Sequence, residues 1–166
     1  MLLMPTHIDH SARYTASVAT LAAAFANEQY WKERLAEVGG PGARLVSFAG
    51  SDGQATIEMV QVVAASKLPA AVTAIRPGDL EIKRTEIWTT ETGSFSASVE
   101  GAPATIGGTV TLAADADATT LQVNGQVQVD VPFFGGKIES VIAGHLHELL
   151  EREDGFTQTW LVNNAR

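Results

Sequence analysis

Two histidines separated by one residue, His145 and His147, stand in the stretch "FFGGKIESVIAGHLHELL" from Phe133 to Leu150. Closely spaced histidines are a common way to hold zinc or iron, with a neutral ring nitrogen as ligand. In a helix this pair cannot do so, because residues two apart lie about 200° around the axis. The segment does read as a helix. With Ile138 as zero, Ile142, His145, Leu149, Phe156 and Trp160 all fall within about 40° of one line, while Lys137, His147 and Glu151 fall elsewhere. No metal is therefore expected, and His147 is expected in solvent. His145 lies in the apolar stripe and has two readings. It can fix a ligand carbonyl or act as general acid or base, with an ordinary pKa near neutrality. Or it is a buried histidine satisfied by a backbone carbonyl or a neighbouring side chain.

A second candidate is "EIKRTEIW". As a strand it places Ile82, Arg84, Glu86 and Trp88 on one face, and Lys83, Thr85 and Ile87 on the other. If Trp88 faces inward, two charges come with it and must pair or bind something polar. If Ile87 is the inward residue, Arg84 and Glu86 are simply wet. Both readings stay open at this stage. His10 and Tyr14 share a face with Ile8 on an earlier strand and can supply further polar groups. Tyr30, Trp31, Phe95, Phe133, Phe134, Phe156 and Trp160 can line or close a pocket, although core packing explains each of them as well.

The remaining chemistry is narrowed by what the chain lacks. It has no cysteine, which removes disulfides, thiolate metal sites and a cysteine nucleophile. There is no nucleophile-elbow, phosphate-loop, dinucleotide or H-E-x-x-H pattern, and no cofactor is expected. Eleven Lys+Arg against nineteen Asp+Glu give a formal charge of -8, a sign that repels nucleic acid and anionic membranes. The opening "MLLMPTHIDH" is too short and lacks the basic flank of a leader, and Met4 is an alternative start. No stretch approaches the ~20 apolar residues of a membrane span. A cytoplasmic protein is expected.

The elements that must position these residues follow from periodicity. The 166 residues suit one domain, residues 1–166, with 45% hydrophobic and 18% charged residues. "THIDHSARYTA" alternates as a strand. Val18, Leu21, Ala22 and Phe25 then keep helical spacing behind Ser17 or Thr15 as cap; Asn27 allows a break, and Trp31, Leu35 and Val38 continue in a second short helix that "GGPG" stops. From Ala43 onward the pattern is β. "ARLVSFAG" and "QATIEMVQVV" flank an "SDG" turn. "ASKLPAAVTAIRPGD" reads as a long loop that can hold a helical turn. "LEIKRTEIWTT", "GSFSASVEG", "TIGGTVTLAAD" and "TTLQVNGQVQVDV" complete six strands. In the last, Leu121, Val123, Val127 and Val129 oppose Gln122, Asn124, Gln126 and Gln128, the mark of a sheet with one wet face. The long final helix must cover the other face, with "EDGF" around Gly155 as a place where it bends or ends.

This order makes an α+β helix-grip arrangement, and the chain resembles the START-like superfamily that includes the birch-pollen allergen, polyketide cyclases and lipid-transfer domains. More narrowly it resembles an uncharacterised actinobacterial branch. The residues that carry the resemblance are "IDHSARYTAS" with "VATLAAAFANEQYWKERL", then "RTEIWTT", and "VPFFGGKIESVIAGHLHELLEREDGFTQTWL". It implies a curved seven-stranded antiparallel sheet around a long C-terminal helix, two short helices after the first strand, and an apolar pocket between sheet and helix. It carries over no catalytic residue.

The expected function is binding of an apolar small molecule, a lipid, isoprenoid or polyketide-like compound. His10, Tyr14, Trp31, Arg84, Glu86, Trp88, Phe95, Ile142, His145 and Leu149 are the pocket candidates. One alternative is a cyclase or dehydratase in which His145, helped by Arg84, Glu86 or Tyr14, moves a proton. The other is a protein-interaction module with a collapsed cavity. Under any of these readings a monomer or homodimer is expected.

Overall fold

The computed structural model of the chain describes residues 5–51, 54–75, 77–131 and 135–164. Strand β1 (Thr6–Tyr14) leads into two short helices, α1 (Val18–Phe25) and α2 (Glu28–Val38). The break between them has a local cause. Ser17 caps α1 by accepting from the Thr20 N–H, and Asn27 caps α2 by accepting from the Gln29 N–H. The "GGPG" turn ends α2. Gly40 sits at φ +89°, and a side chain there would collide with the Val62 carbonyl, so the turn lies directly on the neighbouring strand.

Strands β2 (Arg44–Ser51), β3 (Gln54–Val63), β4 (Leu80–Trp88), β5 (Thr92–Val99), β6 (Ala104–Asp115) and β7 (Ala118–Val129) then follow. With β1 they form one antiparallel sheet in the order β1-β7-β6-β5-β4-β3-β2. The stretch between β3 and β4 is more ordered than a loop. It holds a 3-10 turn, Ala65–Lys67, and a short helix, α3 (Ala70–Ile75), whose Val72 is buried. Asp52 and Gly53 of the expected "SDG" turn, Met4, and Phe133 and Phe134 lie outside the described residues.

Helix α4 (Gly135–Asn163) runs uninterrupted for 29 residues and lies against β1, β7 and α2. Gly155 does not end it, because the helix continues on either side. This is the α+β helix-grip fold.

The core falls into two clusters. One lies beneath α1 and α2 and includes Leu21, Phe25, Tyr30, Trp31, Ile57, Met59 and Trp88. The other lies beneath the first half of α4 and includes Ile8, Leu80, Val99, Ile106, Val127 and Ile138. Phe95 and Leu150 pack against both.

Phe95 owes its position to glycines on the strands beside it. A Cβ on Gly108 would lie 2.8 Å from Phe95 Cζ, and one on Gly125 would lie 2.9 Å from it. The same Gly108 Cβ would fall 2.3 Å from the Asn124 carbonyl oxygen and 2.6 Å from Gly125 Cα. Glycine within a strand marks such close approach. Gly108→Ala is expected to destabilise the protein by about 1–3 kcal/mol, because backbone atoms rather than a flexible side chain must give way; urea unfolding monitored by tryptophan fluorescence measures it.

Candidate functional site

The strand reading of "EIKRTEIW" resolves in favour of the charged inner face. Glu86 is 3% exposed and Ile87 40%. Trp88 is buried beside Glu86 and donates its indole N–H to Glu86 Oε1 at 2.9 Å. Because strand side chains alternate, burying Trp88 carries Glu86 and Arg84 under the helix with it.

Their partners come from three other elements. Glu153 of α4 accepts from Arg84 Nη1 at 2.9 Å and Nη2 at 3.4 Å, a two-pronged bond. Arg34 of α2 places Nη2 2.6 Å from the same carboxylate and 3.7 Å from Glu86. Gln61 of β3 donates to Glu153 at 3.3 Å and accepts from Arg84 Nη1 at 3.1 Å. Arg84 Nη2 also lies 2.5 Å from Glu86 Oε2. That contact is an ion pair without hydrogen-bond alignment, so Glu86 Oε2 and Arg84 Nε are both sealed from solvent with no hydrogen-bond partner among the described residues.

A hydroxyl relay extends the network. Thr157 donates to the Glu153 carbonyl at 2.8 Å, which leaves its oxygen to accept the Tyr30 O–H at 2.7 Å. Arg34 Nη1 in turn reaches the Tyr30 oxygen at 3.5 Å, and the Arg34 guanidinium lies over the Trp31 ring, 4.6 Å from its centre. Burial alone would raise the Glu153 pKa, but Arg34 and then Arg84 outweigh it and hold the carboxyl down to about 2. Burial would lower the Arg34 pKa, and Glu153 reverses that and raises it.

A second constellation joins α4 to β1. Asp154 accepts from the Tyr14 O–H at 2.6 Å and lies 2.5 Å from His10 Nε2. Burial first, then Asp154, raises the Tyr14 pKa, so the phenol stays protonated and acts as donor. His147, expected in solvent, is half-buried with its ring centre 6.3 Å from that of His10. Near the start of α4, buried Glu139 accepts from the Val129 N–H at 2.8 Å and from Thr6 Oγ1 at 3.1 Å.

These carboxylates explain why the helix phase differs from the sequence expectation. The face that meets the sheet carries Ile138, Glu139, Ala143, Glu153 and Thr157, together with Leu146, Leu149 and Leu150. Its centre is rotated by roughly 65° from the apolar line through Ile138 and His145. A hydrophobic pattern assigns glutamates to solvent, so it turned the helix away from Glu139 and Glu153. His145 consequently lies half-buried on the flank, its side chain making no hydrogen bond among the described residues, and Ile142 is half-buried near it.

Between α4 and the sheet, at the seam of the two core clusters, lies a cavity of about 50 Å³. Its apolar walls include Ile8, Ile82, Phe95, Ile106, Val123 and Leu146; its polar lining is Arg84 and Gln61. Of the residues expected around a pocket, Arg84, Phe95 and Leu149 line this cavity. Glu86 stands behind Arg84 in the ion network. Trp31 and Trp88 lie in the core under α1 and α2, where Trp31 donates to the Phe25 carbonyl and Trp88 stacks on Phe25 at 4.4 Å. His10 and Tyr14 are engaged with Asp154, and Arg84 with Glu153, Glu86 and Gln61; among the described residues none of these bonds involves His145.

A larger concavity of about 510 Å³ opens to solvent between the start of α1 and the end of α4, and among the described residues no charged side chain lines it. The inner cavity is therefore the better candidate site. Among the described residues, no group of three His, Asp or Glu side chains could hold a metal ion, and no helix is long and apolar enough to cross a membrane.

Arg34, Gln61, Glu139, Glu153 and Asp154 were not singled out by sequence reasoning. The available signal was Arg84 and Glu86 themselves, since an inward strand with two charges demands partners from whatever covers it. Glu153→Gln leaves two buried guanidinium groups facing one carboxylate. It is expected to cost about 3–5 kcal/mol in urea unfolding. Because the folded-state Glu153 pKa of about 2 lies below the ordinary 4.5, its contribution is complete above about pH 4.5 and is lost as pH falls toward 2. A stability profile over that range should fall for the native chain and be flatter for Glu153→Gln.

Comparison with known proteins agrees with this geometry. The sequence profile of a family described as "Protein of unknown function (DUF2505)" matches residues 9–161. An uncharacterized protein of Mycobacterium tuberculosis, Rv0481c, is 37% identical over 176 residues, covering 98% of this chain and 100% of the relative. Among solved structures, Zhui aromatase/cyclase from Streptomyces sp. R1128 superposes with a TM-score of 0.57 at 9% identity, over 98% of this chain and 94% of that one. A START superfamily protein from Mycobacterium smegmatis gives 0.51 at 14% identity, over 89% and 92%. The chain thus belongs to the DUF2505 family and has the START-like helix-grip fold.

Proposed function

We propose that the protein binds an apolar small molecule in the cavity between the sheet and α4. The observation that supports this reading is the character of that cavity: an almost wholly apolar wall at the seam of two core clusters, interrupted by Arg84 and Gln61. A small number of fixed polar groups in an apolar enclosure is the usual form of a small-molecule site. Burying a ligand there yields roughly 25 cal/mol per Å² of apolar surface without any catalytic group. The fold neighbours include an aromatase/cyclase and a START superfamily protein, which favours the same reading by analogy.

The volume bears on how binding would proceed. About 50 Å³ has room for one or two waters, not for a lipid or polyketide. A larger ligand enters only if Phe95, Leu146 and Leu150 turn aside. The same volume favours the rival reading, a filled core whose surface does the work.

Native mass spectrometry of the purified protein, followed by organic extraction, separates the two. The binding reading expects a stoichiometric apolar adduct, or saturable uptake of the neutral probe N-phenyl-1-naphthylamine. Ala97→Phe places a ring in the cavity and should reduce probe affinity at least about tenfold while the fold is retained. An adduct-free protein that takes up no probe would establish the filled core instead.

A further inference from the structure

The ion network behind the cavity wall specifies more than an apolar occupant. Arg34 and Arg84 contribute two positive charges and Glu86 and Glu153 two negative ones, so the network is formally neutral. Both oxygens of Glu153 are engaged by the two guanidinium groups, and Gln61 spends its carbonyl on Arg84 and its amide on Glu153. The next residue on α4, Asp154, adds another carboxylate close by, held by His10 and Tyr14. An anionic headgroup entering here would find, among the described residues, no uncommitted positive charge and several carboxylates. A buried charge without a partner is strongly unfavourable.

What the network leaves open is one donor and one acceptor. Among the described residues Arg84 Nε–H has no acceptor, and Glu86 Oε2, in ion-pair contact with Arg84 Nη2 at 2.5 Å, accepts no aligned hydrogen bond and keeps lone-pair capacity for one. Arg84 is also the charged residue that lines the cavity. An oxygen arriving as a hydroxyl can accept from the first and donate to the second, and a ketone or ester carbonyl can accept from the first. Both atoms are sealed while the cavity is closed, so the contact forms only when the wall opens for a ligand.

We infer that the site selects an uncharged apolar ligand bearing one hydroxyl or carbonyl oxygen, and discriminates against a carboxylate of the same carbon skeleton. This rests on the binding reading above and adds to it the identity of the polar group.

The test is displacement of N-phenyl-1-naphthylamine at pH 7.5 by 1-decanol, 2-decanone and decanoate, which share a chain length and differ at the oxygen function. The expected result is displacement by decanol and decanone at concentrations at least about tenfold below that needed for decanoate. Glu86→Gln keeps the Trp88 hydrogen bond and gives the network a net positive charge. It should move the preference toward decanoate by about tenfold or more, with tryptophan emission reporting that the fold is intact. Decanoate binding the native chain as tightly as decanol would overturn the inference while leaving the binding reading in place. A preference unmoved in folded Glu86→Gln would also overturn it. If that variant does not fold, the comparison on the native chain still decides. Failure of the probe and all three compounds to bind would remove the binding reading itself, and the selectivity with it.

Discussion

The attachment of α4 through Glu153 is the constraint around which the rest of the molecule is arranged. An amphipathic helix on a curved apolar sheet is free to roll, because dispersion and hydrophobic burial are nondirectional and one leucine-rich arc is nearly as good as the next. A carboxylate held by two guanidinium groups is directional. Glu153 meets Arg84 from the sheet and Arg34 from α2, so one side chain fixes the rotation of the helix, its position along the sheet and the seat of the second short helix. Removing charges from water carries a desolvation cost that ion pairing offsets only with good geometry. Here the geometry is two-pronged on one side, with Gln61 donating to the carboxylate and the Tyr30 oxygen accepting from Arg34. Glu139 and Asp154 repeat the device toward either end of the interface with β1 and β7. The helix is fastened by acids at three points rather than by its leucines alone.

The same feature explains what was legible in the sequence. Strand alternation was readable because outward Gln122, Asn124, Gln126 and Gln128 differ sharply from inward Leu121, Val123, Val127 and Val129. The breaks around α1 and α2 were readable because Ser17 and Asn27 act locally on adjacent amides. The phase of α4 was not. Its inward face contains Glu139 and Glu153, which any hydrophobic pattern counts as solvent-facing, and the error of about 65° moved His145 from the flank to the centre. Partnerships such as Arg34 with Glu153 join residues more than a hundred positions apart, and only the tertiary fold brings them together. The strand carrying Arg84 and Glu86 did state the demand for partners; it did not name them.

The two core clusters divide the interior by role as well as by position. Beneath α1 and α2 the aromatic rings of Phe25, Tyr30, Trp31 and Trp88 are in edge, tilted or stacked contact. Ring contacts of this kind resist rearrangement, since close packing leaves no slack for a rotated ring. On the α4 side the lining is aliphatic, and its leucines, Leu146, Leu149 and Leu150, can change rotamer more readily than a packed ring. The cavity lies between the two, against a rigid aromatic end and a softer aliphatic one. Any expansion is therefore taken up on the α4 side, among Leu146, Leu149 and Leu150.

Phe95 lies above a track of bare backbone, with Gly108 and Gly125 side by side beneath its ring. The ring rests on peptide planes held by the β6–β7 ladder, while Ile106, Val110 and Val123 of the same two strands line the cavity beside it. Phe95 is thus one of the residues that set the room inside, and its side chain takes no part in the hydrogen bonding that holds the sheet together. Relatives with a smaller residue at that position would possess a deeper chamber on an unchanged scaffold, so capacity can diverge across a lineage without a corresponding loss of foldability.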